Sequence, residues 1–476
     1  MDSAEFRRVG HAVIDQLAAY FDSLEDRPVF PDVEPADLSR LFDEPVPRAG
    51  VAAEQVLAEL DEKLYPYCTH TGHGGYMGLI TASPLPIGVL GDAIASALNQ
   101  NLGVYSIGPS AVAMERRTVR WLCDLAGYGP GAGGNLTSGG MTANLIGLKL
   151  ARDRASGERA QQEGVTERFA VYTSEERHVS VDKAADAVGL GRRSIRALPT
   201  DDSFRVRIDA LEDAIAADRS EGVRPACIVA MAGSTNTGAI DDLEALRAIA
   251  DREGMWLHAD AAYGGGLLVS HGRRHLLDGL DLADSITIDP HKWFYAPVDA
   301  GALLVREEAR LTRSFGMRPA YLTDELDAEG ERYQYYIHGL EQSRRFRALK
   351  VWMSFKRYGT QEIGRWVDAN CEQARRLHEL AEVHPRFESA VEPPMSAACI
   401  RYLPQRELAS AQADELHHRV VDRVERSGEF WIGTTVLKGK AWFRACTVNF
   451  RTTLEHVERL MALLERECAV AEHALA

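Results

Sequence analysis

The chain reads Asp289-Pro290-His291-Lys292-Trp293 directly after Ser285-Ile286-Thr287-Ile288, a short run rich in β-branched residues. Such a run is typical of a strand, so Lys292 is predicted to lie where the strand ends and opens into a cleft. A second apolar run begins at Met255 and ends at Asp260. The sequence therefore predicts a lysine amine and a carboxylate at the ends of two neighbouring strands.

An amine and a carboxylate in this arrangement suit the chemistry of pyridoxal 5′-phosphate (PLP). In PLP enzymes a lysine amine forms a Schiff base with the cofactor, and an acid holds the pyridine nitrogen protonated. Lys292 and Asp260 are the candidate residues for these two roles. The hypothesis from these residues is therefore a PLP-dependent enzyme.

Strand-like runs alternate with helical segments between about residues 80 and 310, which is the α/β pattern of helices covering a largely parallel sheet. Such sheets bind ligands in the crevice beyond the carboxyl ends of their strands, where Lys292 and Asp260 would both lie. We predict three parts: a helical N-terminal segment (1–80), a large PLP-binding domain (81–360) and a small α+β C-terminal domain (361–476).

Composition excludes several other classes of protein. The chain has 476 residues and a formal net charge of −16, which argues against nucleic-acid binding and against binding to anionic membranes. Its 7 cysteines are scattered and contain no Cys-x-x-Cys, so neither a disulfide framework nor a metal site is predicted. With no signal-peptide pattern and no apolar run of transmembrane length, a cytoplasmic location is expected.

Two glycine-rich segments are candidate phosphate sites. Residues 129–134 fit the pattern G-x-G-x-x-G, but a helical pattern precedes them where a dinucleotide site needs a strand, so a flexible loop is predicted there. Residues 137–144, Thr-Ser-Gly-Gly-Met-Thr-Ala-Asn, precede a helical pattern instead. Glycines and a helix N-terminus together offer backbone N–H groups to an anion, so this segment is the better candidate.

These segments together resemble the group II PLP-dependent amino-acid decarboxylases of fold type I, over about residues 65 to 455. The strongest matches are residues 137–144, 178–184, 258–263, 289–293 and 343–350. The resemblance implies a large domain with a mostly parallel seven-stranded sheet, a PLP cofactor and a homodimer with shared active sites. It implies a carboxy-lyase that converts an L-amino acid to an amine and CO2.

The resemblance also implies a role for individual residues. Lys292 would carry the cofactor, Asp260 would pair with its ring nitrogen, and His178 would stack on the ring. The other implied cofactor contacts are the backbone of Gly140 and Met141, Thr235 near the 3′ oxygen, Ala262 beneath the ring, and Asp289 and His291 beside the lysine.

Tyr321 matches the family's tyrosine that delivers a proton to the substrate Cα after CO2 leaves. In relatives with Phe at this position, reaction with oxygen yields an aldehyde. Tyr321 therefore favours simple decarboxylation over a PLP-dependent aldehyde synthase. An aminotransferase would use the same cofactor pocket, and a non-enzymatic relic would be expected to have lost Lys292, Asp260 or His178.

The resemblance implies that Thr81, Val104, Tyr105 and Ser343 border the substrate side chain. Serine at position 343 is typical of histidine-type and many tyrosine-type enzymes, whereas glycine is typical of dopa-type and tryptophan-type ones. Residues 78–81 are Gly-Leu-Ile-Thr where animal aromatic decarboxylases have Tyr-Phe-Pro-Thr, which weakens a catecholamine assignment. We expect an aromatic or imidazole amino acid as substrate, with an acidic amino acid as the nearest alternative.

Overall fold

A computed structural model describes residues 1–319, 332–406 and 408–474. The chain divides into two compact units. The sheet unit comprises Ile80–Glu372 and Pro393–Ala397, and the terminal unit comprises Met1–Leu79, Gln373–Glu392 and Ala398–Ala476. Among the described residues, no helix combines the length and the apolar character needed to cross a membrane.

The sheet unit contains a seven-stranded sheet, as the family resemblance implied. Its strands are β1 (Gly133–Thr137), β2 (Phe169–Ser174), β3 (Ile195–Leu198), β4 (Arg224–Met231), β5 (Trp256–Asp260), β6 (Ser285–Ile288) and β7 (Gly301–Val305), in the order β1-β7-β6-β5-β4-β2-β3. Strands β6, β5, β4, β2 and β3 pair in parallel, whereas β7 pairs antiparallel with both β6 and β1. The prediction of a mostly parallel α/β sheet is confirmed.

The three central strands are built from residues that favour burial on both faces. All residues of β5 and β6 are buried, as are those of β4 from Ala226 to Met231. The strand register places Met231 beside Asp260, and Asp260 beside Thr287. Since these strands are parallel, their carboxyl ends meet at one edge of the sheet, as predicted for Asp260 and Lys292.

Helices surround this sheet in the sheet unit. They are α4 (Pro86–Leu98), α5 (Pro109–Leu125), α6 (Gly140–Ala155), α7 (Ala160–Glu163), α8 (Val179–Ala187), α9 (Ile208–Ser220), α10 (Leu243–Glu253) and α11 (Ala309–Phe315). A long helix, α12 (Ala348–Val383), is interrupted at Gly359, where φ is 68°. Helices α6 and α8 pack on the sheet through a core that includes Ile146, Val171, Val181 and Val229.

The prediction of a flexible loop over residues 129–134 is wrong at its end, because Gly133 and Gly134 begin β1. A Cβ atom at Gly134 would lie 2.1 Å from the backbone oxygen of Leu303 on β7. The glycine therefore lets two strands approach closely. Glycines are typical of loops, but Gly133 and Gly134 here belong to a buried strand.

The terminal unit combines both ends of the chain. Its helices are α1 (Ser3–Asp22), α2 (Pro35–Leu41), α3 (Ala53–Lys63), α13 (Ser410–Ser427) and α14 (Leu454–Ala474), and its strands are β8 (Phe387–Ser389), β9 (Ala397–Tyr402), β10 (Gly433–Leu437) and β11 (Lys440–Cys446). These strands form a four-stranded sheet in the order β10-β11-β9-β8.

The grouping of the terminal unit differs from the predicted division at residues 80 and 360, which treats the N-terminal segment as a part by itself. Backbone hydrogen bonds connect Met77 to Trp431 and to Cys446. Met77 is buried in one core with Phe430 and Phe443. Residues far apart in sequence therefore share this core, which a composition pattern along the chain does not reveal.

Candidate functional site

Lys292 follows β6 by four residues and lies in a tight turn. Its backbone N–H donates to the Asp289 carbonyl oxygen at 2.9 Å, and its Nζ lies 3.3 Å from Asp289 Oδ2. Asp289 is buried, whereas the Lys292 side chain is 21% exposed. The turn therefore holds the amine beside a buried carboxylate while leaving it open to a ligand.

Asp260 is the last residue of β5 and is buried. Its Oδ2 accepts a hydrogen bond from Asn144 Nδ2 at 2.8 Å, and its Oδ1 accepts one from the Ala262 backbone N–H at 3.1 Å. Both carboxylate oxygens are thus held in place by hydrogen-bond donors. The site therefore offers a buried carboxylate that can stabilise a cationic ligand group.

His178 is the N-cap residue of α8. Its Nδ1 accepts a hydrogen bond from the Ser180 backbone N–H at 3.2 Å and lies 2.8 Å from Ser180 Oγ. Burial lowers the pKa of His178 below its ordinary value, against the opposing charge of Asp260. The imidazole is therefore neutral at pH 7 and can lie flat against an aromatic ligand.

These three side chains line one cavity of about 290 Å³. A volume near 300 Å³ is at the lower end of the range for small-molecule sites. The lining residues are Gly139, Gly140, Met141, Asn144, His178, Ser180, Met231, Gly233, Ser234, Thr235, Asp260, Ala262, Tyr263, Asp289 and Lys292. The structure thus brings together eight of the residues that the sequence nominated: Lys292, Asp260, His178, Gly140, Met141, Thr235, Ala262 and Asp289.

His291 is not among the lining residues, but it lies next to them. Its Nε2 is 3.7 Å from Asp289 Oδ2, and its Nδ1 accepts a hydrogen bond from the Ala300 backbone N–H at 2.9 Å. A Cβ atom at Gly139 would lie 3.2 Å from the His291 ring. His291 therefore forms a wall behind the glycine segment.

The glycine segment at residues 139–141 lies at the start of α6, where the N–H groups of Gly140 and Met141 have no acceptor within the helix; the next two N–H groups donate to the Gly139 carbonyl oxygen. The N–H groups of Gly140 and Met141 and the helix dipole favour an anion at this end of the cavity. A Cβ atom at Gly140 would lie 2.8 Å from Asp289 Oδ2 and 3.2 Å from the Ala262 Cβ. A side chain at this position would therefore fill the space that a ligand needs.

The sequence argument missed several lining residues, of which Asn144 and Ser180 have the most direct contacts with the predicted ones. Asn144 Nδ2 donates to both Asp260 and Ser180 Oγ. Asn144 is four residues after Gly140, one helical turn along α6, so the helical period places both on one face. That spacing was the available signal.

The four predicted substrate-pocket residues, Thr81, Val104, Tyr105 and Ser343, do not line this cavity within the described parts of the chain. The Tyr105 backbone N–H donates to Gln334 Oε1 at 3.1 Å, and the Leu102 N–H donates to the Arg344 carbonyl oxygen at 3.0 Å. These hydrogen bonds connect the segment of Val104 and Tyr105 to the segments that contain Gln334 and Arg344, and Ser343 directly precedes Arg344. Tyr321 is outside the described residues.

Comparison with known proteins gives consistent results. Residues 35–403 match the family model described as the pyridoxal-dependent decarboxylase conserved domain. An aromatic-L-amino-acid decarboxylase of Bacillus atrophaeus is 32% identical over 463 residues, covering 97% of this chain and 95% of the relative. A phenylacetaldehyde synthase of Arabidopsis thaliana is 28% identical over 482 residues, with 99% and 98% covered.

The fold is also similar to a solved structure. The crystal structure of Oryza sativa TDC with PLP and tryptamine superposes with a TM-score of 0.92 at 27% identity and covers 98% of both chains. The similarity therefore extends over both compact units of the chain.

Proposed function

We propose that this chain, which belongs to the pyridoxal-dependent decarboxylase family, converts an aromatic or imidazole L-amino acid to its amine and CO2. The observation that carries the proposal is the convergence of Lys292, Asp260 and His178 on one cavity at the carboxyl edge of the sheet. The relative named aromatic-L-amino-acid decarboxylase supports the aromatic class of substrate.

The residues of the cavity fit PLP. The N–H groups at the start of α6 suit its phosphate, and Asp260 suits its ring nitrogen. Asp289 Oδ1 is a buried oxygen without a hydrogen-bond partner among the described residues. It can therefore accept a hydrogen bond from a ligand. Bound PLP supplies the electron sink that makes decarboxylation possible.

The chain's own residues then have distinct tasks in this proposal. Lys292 would hold the cofactor and release it to the substrate amine, and Asp260 would stabilise positive charge on the ring nitrogen. His178, Ala262 and Thr235 all line the cavity; by the family resemblance, His178 would stack on the ring, Ala262 would pack beneath it, and Thr235 would lie near the 3′ oxygen. Preorganised charge of this kind is typically worth several kcal/mol in a buried site.

Borohydride reduction followed by peptide mapping tests the attachment. We expect a phosphopyridoxyl group on the peptide that contains Lys292, and none in the Lys292→Ala variant. Lys350 is the matched control, because it is a fully buried lysine paired with Asp92 at 3.1 Å. A label on Lys350 or on no lysine would remove the basis of the proposal.

Tyr321 is proposed as the proton donor to the substrate Cα, on the strength of the family resemblance. The phenylacetaldehyde synthase among the relatives makes oxidative chemistry the second candidate function. In the Tyr321→Phe variant we expect less amine and more aldehyde, peroxide and ammonia, measured with equal amounts of loaded enzyme. Unchanged amine output would exclude Tyr321 from the proton transfer.

The substrate is best identified by CO2 release across a panel of L-amino acids. We expect release with tyrosine, phenylalanine, tryptophan or histidine, and little with glutamate, aspartate or cysteine sulfinate. CO2 release from the acidic amino acids alone would favour the alternative of an acidic amino-acid decarboxylase. Amino-group transfer without CO2 would indicate an aminotransferase.

A homodimer is proposed because the family resemblance implies shared active sites and the cavity lining does not include the expected substrate-pocket residues. Thr81, Val104, Tyr105 and Ser343 are not among the residues that line the cavity in the described parts of the chain, so we infer that a second copy completes the pocket. Helix α4 carries an exposed apolar stripe, Leu90, Ile94 and Leu98, at a spacing of four residues. A stripe of this kind is typical of an interface.

A cytoplasmic location is proposed from the cysteines. The seven cysteines are scattered along the sequence and contain no Cys-x-x-Cys. A pattern of this kind is not that of a disulfide framework and fits a protein kept in a reducing compartment. Cell fractionation with an antibody to the chain would test this proposal, and recovery outside the cytoplasm would contradict it.

A further inference from the structure

A continuous chain of hydrogen bonds lies behind Asp260. It runs from Asp260 through Asn144 of α6 to His258 of β5, and on to Ser285 and Trp256. The distances are 2.8 Å for Asn144 Nδ2 to Asp260 Oδ2, 3.0 Å for His258 Nε2 to Asn144 Oδ1, 2.7 Å for His258 Nδ1 to Ser285 Oγ, and 2.9 Å for Trp256 Nε1 to Ser285 Oγ. Every one of these side chains is buried.

The direction of each proton follows from the chemistry of the groups. A carboxylate only accepts, so Asn144 must present its NH2 group to Asp260, and its Oδ1 must face His258. Since an amide oxygen only accepts, His258 carries its proton on Nε2. Burial lowers the pKa of His258 to about 4, so the ring is neutral and its Nδ1 accepts from the Ser285 hydroxyl.

Thr287 fixes the Asn144 amide as well. Its Oγ1 donates to Asn144 Oδ1 at 2.7 Å. Two donors therefore converge on one amide oxygen. A flipped amide would place its NH2 group against both donors and its oxygen against the Asp260 carboxylate, so one orientation is strongly preferred.

The second N–H of Asn144 extends the network to His178. It donates to Ser180 Oγ at 2.8 Å, and that hydroxyl lies 2.8 Å from His178 Nδ1. The Ser180 backbone N–H also points at His178 Nδ1, at 3.2 Å. A backbone N–H can only donate, so His178 Nδ1 is an acceptor and the proton of the neutral ring lies on Nε2.

We propose that Asn144 and His258 are positioning residues that hold the two cofactor-contacting side chains, Asp260 and His178, in one joint proton arrangement. In that arrangement both Asp260 oxygens accept hydrogen bonds, and His178 is neutral with its proton on Nε2. Asn144 makes the connection, and His258 fixes the amide of Asn144. This inference rests on the proposed function, because it assigns the purpose of the arrangement to PLP binding.

A matched pair of substitutions tests the role of His258. His258→Gln can keep a donor to Asn144 and an acceptor for Ser285, whereas His258→Leu keeps the bulk and loses both. We expect the dissociation constant of PLP from the apo-protein to rise at least about tenfold in His258→Leu, a size typical of residues behind a ligand contact. In His258→Gln it should stay within about threefold, or under 1 kcal/mol.

Val171→Ala is the control for a general loss of packing. Val171 is fully buried in the same core but has no part in the network. It should lower stability and leave PLP affinity unchanged. If His258→Leu does not fold, Thr287→Val takes its place, because it removes a donor to Asn144 Oδ1 with little change of shape. Equal PLP affinity in the removing and conserving variants would overturn the proposal.

NMR of apo-protein labelled with ¹⁵N in its histidine rings gives an independent readout without catalysis. We expect both His178 and His258 to be neutral and protonated on Nε2 at pH 7, with signals assigned by their loss in His178→Gln and His258→Gln. Ser180→Ala should shift only the His178 signals strongly. A proton on Nδ1 of either ring, or a charged His258, would overturn the proposed arrangement.

Different results would contradict the proposed cofactor site and the proposed positioning role. Wild-type protein without a label on Lys292 after borohydride reduction would remove the proposed cofactor site. A label on Lys292 together with equal PLP affinity in His258→Leu and His258→Gln would leave that site intact and remove the positioning role alone.

Discussion

The pKa of Asp241, a buried carboxyl group near the site, depends on its surroundings. It is buried behind the carboxyl end of β4, where its two oxygens accept from the backbone N–H groups of Val206 at 2.8 Å and Met231 at 2.7 Å. Burial raises the pKa of Asp241 from 3.8 to about 6, even though these hydrogen bonds lower it. Met231 lines the cavity, so this carboxyl group supports the strand end that shapes the site.

The Asp241 carboxyl group should therefore make stability depend on pH. Its folded-state pKa lies above the unfolded value, so its contribution is fully present below about pH 4 and is lost as pH rises through about 6. Relative to Asp241→Asn, the wild-type free energy of unfolding should fall by about 2 kcal/mol between pH 4 and pH 7. Urea denaturation of the apo-protein at both pH values measures this difference.

The neighbouring residue offers the control for this prediction. Asp242 is an exposed N-cap of α10, and asparagine caps a helix about as well as aspartate. Asp242→Asn should therefore follow the wild-type pH profile closely. A wild-type protein that gained stability over Asp241→Asn on going from pH 4 to pH 7 would contradict the sign of the effect.

The residues that could be predicted from the sequence have ionisable side chains and lie at or just after the end of a recognisable strand. Lys292 and Asp260 each follow an apolar run, and the parallel sheet brings such ends together. Asn144 and Ser180 could not be predicted in the same way, because their importance comes from contacts with residues distant in sequence. For Asn144 the sequence offers only its spacing of four residues from Gly140, which does not show what the amide contacts.

Helix α6 is the element that connects the glycines proposed to bind phosphate, the Asn144 amide and the sheet. Its Gly147 faces β5, and a Cβ atom there would lie 2.5 Å from His258 Cε1 and 2.6 Å from His258 Nδ1. The His258 ring is held at both nitrogens, so it cannot move aside without losing the contact to Asn144 or to Ser285. The close approach of this helix to the sheet therefore requires glycine.

Two opposing effects decide the outcome of Gly147→Ala. Helix propensity alone favours alanine by up to about 1 kcal/mol, whereas overpacking of a core costs about 1–3 kcal/mol. Since His258 cannot yield, we expect a net loss of stability and weaker PLP binding, measured by urea denaturation and by cofactor titration. Gly272→Ala, where the added atom meets nothing within 4 Å, should change neither quantity. A stabilised Gly147→Ala would show that the helix can shift.

Elements whose sequence pattern matches their environment were predicted well. Strand β6 has the predicted bounds, because its β-branched residues are buried on both faces. Strand β1 was missed because Gly133 and Gly134 have no side chains to form an apolar pattern, and their use depends on the approach of β7. The strand pairing that selects glycine here is a property of the assembled sheet.

At the scale of the whole molecule, two observations support the proposed homodimer: the cavity lining does not include the expected substrate-pocket residues, and α4 carries an exposed apolar stripe. Leu90, Ile94 and Leu98 are 41%, 45% and 54% exposed, and the charged residues of a typical surface helix are missing from this line. Covering this stripe in a dimer would remove apolar surface from water at about 25 cal/mol per Å².

A charge at the centre of the stripe should separate the copies. Ile94→Glu would bury an unpaired carboxylate in the proposed interface, so we expect a monomer by light scattering and strongly reduced amine production. The label on Lys292 should persist, because Lys292, Asp260 and His178 all line the cavity of one chain. Val436→Glu is the control, since Val436 is 62% exposed on β10 in the terminal unit. A dimeric Ile94→Glu variant would exclude α4 from the interface, and a fully active wild-type monomer would exclude a shared pocket altogether.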